Sequence, residues 1–191
     1  MSHTSEPQNL FGCQLYLLAM IDPPTLKELA AFPNQLEQFY AAIPSAYTNW
    51  TPSSWEGIPS ESFTAIGQIC HVRDIELDGY HVRFQRALHE EVPILESLDG
   101  YHLSDTRDYA HANAEEVFAA IRTGRQKTLQ ILTTLTPEQG ARTAIFEGYG
   151  TLTVRGLAHY LCSHDQQHLA GLQWLLGKID AAQKGNSSSS H

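Results

Sequence analysis

The sequence predicts an all-α protein, a four-helix bundle with long crossover connections. Three observations carry this. Four blocks place apolar residues at helical spacing, and no block reads as a convincing strand. Two connections of about twenty residues, one rich in Pro, Ser, Trp and Gly and the other polar, separate the first three blocks.

The first helix is expected over residues 25–43, where Leu26, Leu29, Leu36, Phe39 and Ile43 recur at helical spacing. Pro33 should kink or split it, and Pro44 should end it. The second is expected over 62–90, with Ser60 or Ser62 as its cap after Pro59. At 100° per residue, Phe63, Ile66, Cys70, Leu77, Tyr80, Phe84 and Leu88 share one face. His71 falls on a second line with Thr64, Ile75, Asp78 and Val82, so this helix has neighbours on two sides, as in a bundle. The third starts after Asn113, a cap with Glu116 at the capping-box position, runs through Val117, Ile121, Leu129 and Leu132, and stops before Pro137. Residues 140–152 are Gly-rich and irregular, with room for a short extended pair. The fourth starts near Thr151 or Thr153 and ends near Ala182.

Residues 23–182 thus form the bundle. The apolar stretch LFGCQLYLLAMI within residues 1–22 is too short to span a bilayer and follows no Lys or Arg, so it reads as a packing or oligomer contact. Residues 183–191 have nothing to bury and read as a disordered tail. Twelve Lys plus Arg against 21 Asp plus Glu give a charge of −9, which repels nucleic-acid phosphates. With no membrane segment, and with Cys13, Cys70 and Cys162 too few and too scattered for a disulfide framework, the chain reads as cytoplasmic.

The fourth helix carries the strongest pattern. Leu157, Leu161, His164, His168, Leu172, Leu175 and Ile179 form one stripe, which puts two histidines in the buried seam. Asp165, Gln166 and Gln173 are assigned to the solvated side. Two readings remain open at this point. Both imidazoles could be hydrogen-bonded core residues, but each unpaired polar group would cost a few kcal/mol. Alternatively, side chains four apart could share one metal ion with a third ligand from another helix. Periodicity does not select that ligand from the other eight histidines.

The segments ICHVRDIE and SHDQQHLAGLQWLL resemble the two characteristic regions of the DinB-like superfamily, which includes YfiT-type metal-dependent hydrolases and thiol S-transferases. The likeness spans most of residues 25–180. It implies a four-helix bundle, often a homodimer, with a metal triad at His71, His164 and His168. It also implies an enzyme acting on a small molecule, with a low-molecular-weight thiol as one cosubstrate class. Imidazole ligands suit zinc or nickel first, and also iron or copper. A non-catalytic metal-binding or interaction bundle is the alternative. His81, His89, His102 and His111 read as surface residues, and His159 is turned about 140° from His164. Asp74 could orient the His71 ring or be an ordinary surface carboxylate, while Asp165 could support the site from behind or be a solvated charge. Cys70 and Cys162 read as small core residues.

Overall fold

A computed structural model describes residues 21–188. The expected role of the apolar segment 10–21 and the fate of the last three residues therefore lie outside the described residues, apart from Ile21, which is buried.

Helix α1, Pro23–Ala41, opens on Asp22, whose carboxylate accepts the Thr25 N–H at 2.9 Å. Two prolines follow the cap, where a missing N–H is harmless. Pro33 was expected to kink or split this helix, yet the helix continues through it. The reason lies outside α1. Proline cannot donate to the carbonyl of Leu29, and Arg125 Nη1 donates to that oxygen instead at 2.7 Å.

Helix α2, Ala65–Asp74, is capped by Thr64 rather than by Ser60 or Ser62, the Thr64 hydroxyl accepting the Gly67 N–H. It passes without a break into a π-helical turn, Ile75–Tyr80, and then into α3, His81–His89. That turn corrects the helical projection. A π-helical turn holds extra residues and rotates everything after it. Asp78 and Val82, placed on the inward line with His71, are exposed, whereas Glu76, His81 and Arg83 are buried.

The connection after α3 contains strand β1, Ile94–Leu95, and the short helix α4, Gly100–Thr106. Helix α5, Ala114–Thr133, is capped by Asn113 as expected. After the short α6, Pro137–Ala141, the Gly-rich stretch forms an antiparallel pair, β2 (Thr143–Phe146) and β3 (Gly150–Thr153), with β1 parallel to β2. Gly148 and Gly150, at φ +82° and +81°, make the tight connection between them. Helix α7, Val154–Ser188, runs six residues past its expected end, and Lys184 pairs with Asp180 one turn earlier.

Two apolar cores result. One joins α1, α2, α5 and the C-terminal half of α7 around Phe32, Ile69, Ile121 and Leu172. The other joins α3, the small sheet and the N-terminal part of α7 around Phe84, Leu95, Phe146 and Leu157. Between them lies a layer of buried polar groups from α2, the π-helical turn, α3, α5 and α7. Among the described residues no helix is long and apolar enough to cross a membrane.

Candidate metal centre

One half of the polar layer is a sealed ion cluster. Arg125, 2% exposed, donates through Nε and Nη2 to the two carboxylate oxygens of Glu76 at 2.8 and 3.1 Å. Its Nη2 also lies 2.8 Å from Asp165 Oδ2. Asp165 was assigned to the solvated side of α7, but it is buried. The buried seam of α7 is wider than its apolar stripe, because a charged partner on α5 makes a second face of α7 inward as well. Burial pushes the Asp165 carboxyl up, against the pull of Arg125 and with repulsion from Glu76 adding to it. His81, read as a surface residue, belongs to the same cluster. Its Nε2 meets Gly124 O and Thr128 Oγ1, both at 3.1 Å. Because a carbonyl only accepts, Nε2 carries the proton there.

The other half of the layer holds the three histidines singled out by the resemblance. His71 comes from the last turn of α2, and His164 and His168 from the middle of α7. The Nε2 atoms of His71 and His164 are 3.3 Å apart, and those of His164 and His168 are 3.1 Å apart. A fourth group joins them from the loop before α2. Glu61 places Oε1 3.6 Å from His71 Nε2 and Oε2 3.3 Å from His168 Nε2. One ligand atom from each of the four side chains lies within 4.8 Å of the others. Glu61 Oε2 is buried without a well-aimed hydrogen bond. Three imidazole nitrogens and a carboxylate oxygen this close to one another fit a divalent cation with nitrogen and oxygen ligands.

Sequence reasoning missed Glu61. It belongs to a loop with no periodicity, and its one distinguishing mark is a carboxylate just before a helix start.

Gln68 explains how His168 is held. Its amide nitrogen donates to the carbonyls of Glu61 and Phe63 at 3.1 and 3.2 Å, which fixes the amide with its oxygen toward α7. That oxygen accepts from His168 Nδ1 in a short hydrogen bond. Nε2 is thereby left unprotonated and facing the cluster, the arrangement a metal-ligating histidine needs. The same Gln68 bonds tie down the loop that carries Glu61. His71 is oriented differently. Asp74 does not reach its ring; it is buried against Tyr109, Arg73 and Arg107, so neither expectation for Asp74 holds. Packing sets the ring instead, between Phe63 at 5.0 Å between centroids and the backbone of Gly100, where an added Cβ would sit 2.6 Å from the His71 ring. His159 stays outside the cluster and pairs with Asp22. His89, His102 and His111 are exposed as expected. Cys70 is buried and Cys162 partly so, and neither belongs to the cluster.

Burial and the neighbouring imidazoles lower the His164 pKa to about 3 and that of His168 well below its ordinary value. Burial raises the Glu61 carboxyl, but hydrogen bonding and charge from His71 outweigh it and hold the group at about 2. At neutral pH, two imidazoles are therefore neutral and the carboxylate ionised. The metal-free protein should show this in its acid stability. Below about pH 6.5 the unfolded chain takes up protons at His164 and His168 while the folded chain does not. Stability then falls as pH falls, by up to about 1.4 kcal/mol per pH unit for each group. Urea denaturation between pH 4.5 and 6.5 should give a steeper loss for wild type than for H164Q/H168Q. Equal slopes would show that the two rings are charged in the folded state.

A cavity of about 280 Å³ opens onto Glu61, His71 and His164, with Tyr80, Phe146 and Tyr149 among its walls. No curated protein matches the sequence. A solved structure does match the fold: YfiT from Bacillus subtilis, described as "a probable metal-dependent hydrolase with an unusual four-helix bundle topology". It is 20% identical, with a TM-score of 0.70, over 94% of this chain and 95% of that one. The family model of the DinB superfamily matches residues 28–172, most of the chain and both histidine-bearing segments. The chain belongs to the DinB superfamily.

Proposed function

We propose that this protein is a metal-dependent enzyme acting on a small molecule, with His71, His164 and His168 holding one divalent cation and Glu61 beside it as the proton-exchanging group. The observation that carries the reading is the convergence of four ligand atoms within 4.8 Å at the edge of a cavity. When bound, such an ion polarises a carbonyl or lowers the pKa of a water or thiol beside it. Zinc or nickel fits the donor set, and the carboxylate also accommodates iron. The description of YfiT as a hydrolase supports hydrolytic chemistry. The superfamily resemblance supports transfer to or from a low-molecular-weight thiol as its sister reaction.

The chain's own residues divide the work. Gln68 keeps His168 in the tautomer that leaves Nε2 unprotonated. Tyr80 and Phe146 supply apolar wall to the cavity beside the cluster. Glu61 differs from the histidines in two ways: its side chain is 39% exposed, and it stands on a loop rather than a helix. A carboxylate there can exchange a proton with an incoming group, whereas the helical imidazoles are fixed.

One observation favours the alternative of a non-catalytic metal site. Three imidazoles and a carboxylate complete a tetrahedral set, the closed arrangement of structural sites. E61Q separates the two. On the enzymatic reading it retains one metal per chain and loses at least about a hundredfold in turnover of a test ester or thiol, the scale of a lost general base. On the structural reading it loses metal and thermal stability together. Metal analysis, melting temperature and screening against esters and thiol acceptors decide.

A further inference from the structure

Arg83 is a buried cation without a carboxylate. It is 5% exposed and lines the same cavity as Glu61, His71 and His164. Its Nε and Nη2 both donate to the carbonyl oxygen of Glu96, at 3.1 and 2.9 Å. The guanidinium lies over the rings of Phe146 and Tyr80, 4.5 and 5.1 Å from their centroids. No carboxylate pairs with it among the described residues, and Nη1 has no hydrogen-bond acceptor there. The chain makes room for this placement at Gly79 in the π-helical turn, where an added Cβ would sit 2.8 Å from Arg83 Nη1.

A buried charge is normally paired, because desolvation without a partner is expensive. The other buried arginine, Arg125, obeys this rule with Glu76 and Asp165. Arg83 has a carbonyl dipole and two aromatic faces, which hold the guanidinium without neutralising it. The Arg83 side chain is itself part of the wall of the cavity that holds Glu61, His71 and His164. With a divalent ion, neutral imidazoles and one ionised Glu61, the cavity carries a formal charge of about +2 once Arg83 is counted. The aromatic and aliphatic walls, Tyr80, Phe146, Tyr149 and Leu98, suit an apolar or planar body.

We propose that Arg83 is the anion-recognising residue of this cavity, and that the substrate is a small organic anion. Its oxyanion pairs with Arg83, its body lies against Phe146 and Tyr149, and its reacting group reaches the histidine cluster. The substrate class rests on the proposed metal-dependent function; the oxyanion site rests on Arg83 alone. A cavity of about 280 Å³ limits the ligand to a small molecule. Guanidinium geometry serves carboxylates and phosphates alike, so the test includes both.

The experiment is calorimetric titration of the full chain, metal-free and zinc-loaded, with benzoate, phenyl phosphate and neutral benzamide. Benzoate or phenyl phosphate is expected to bind at least about tenfold more tightly than benzamide in both forms, as a charge-assisted hydrogen bond gives. In R83Q that preference should fall to within about twofold while zinc still binds at one per chain. R83K, which keeps the charge, should retain part of the preference and covers the case in which R83Q does not fold. The proposal is overturned if neither anion outbinds benzamide in the wild-type protein, or if the preference survives in R83Q. The two readings fail separately. A chain that refuses zinc but keeps an Arg83-dependent preference loses the metal centre and keeps the anion site. One that binds zinc without any preference keeps the centre and loses the proposed substrate class.

Discussion

His168→Ala should give a folded, helical protein that no longer retains a divalent cation. His168 is fully buried, its Nδ1 is taken by Gln68, and its Nε2 faces both His164 and Glu61. Alanine removes the donor that joins these two and leaves Glu61 turned toward an empty space. Losing an outer partner of a metal ligand typically costs ten- to a hundredfold in affinity, so loss of a ligand itself should exceed about a hundredfold. Helicity should survive, because α7 is 35 residues long and its apolar stripe continues on both sides of the site. Metal content after dialysis, with circular dichroism as the folding control, reads the outcome. One metal per chain in a folded H168A protein would remove His168 from the ligand set.

The largest effect on stability is expected at Arg125. Arg125→Met keeps an unbranched apolar chain at this position, removes the guanidinium from the face of Phe32, and leaves Glu76 and Asp165 buried without a cation. It also strips the donor from Leu29 O, which Pro33 cannot satisfy. Removing one partner of a buried ion cluster costs about 3–5 kcal/mol. In a chain of this size that corresponds to a fall in Tm of roughly 10 °C or more. Neutralising the partners as well, in E76Q/R125M/D165N, should recover part of the loss, because the penalty comes from the stranded carboxylates. Thermal and urea unfolding measure both variants. An R125M protein as stable as wild type would mean that water already reaches this cluster.

The histidine stripe of α7 was legible because period and burial agree over many turns: Leu157 to Ile179 are inward at every step, and His164 and His168 occupy two of those steps. His71 was legible only through the resemblance. Its neighbours on the same projected line, Asp78 and Val82, point to solvent, because the π-helical turn shifts the register just after it. That turn has no marker in periodicity. Glu61 was hidden for the opposite reason, since a loop residue has no period to read, and a hydrogen bond to its backbone carbonyl from the Gln68 amide at the start of α2 holds it at the site. Asp165 and His81 were misplaced because polar residues were taken to mark solvent. Each is buried by a partner far away in sequence, Arg125 or Gly124, and such pairings depend on helix packing rather than on either helix alone. Pro33 shows the same dependence: a local break signal was overridden by one hydrogen bond from α5.

The proposed centre joins three imidazoles from two helices around one ion, and X-ray absorption of the zinc-loaded protein tests this directly. It should show a first shell of about three imidazole nitrogens with one or two oxygens, near 2.0–2.1 Å, and no sulfur near 2.3 Å. Sulfur scattering from Cys70 or Cys162, or a shell with fewer than three imidazoles, would contradict it.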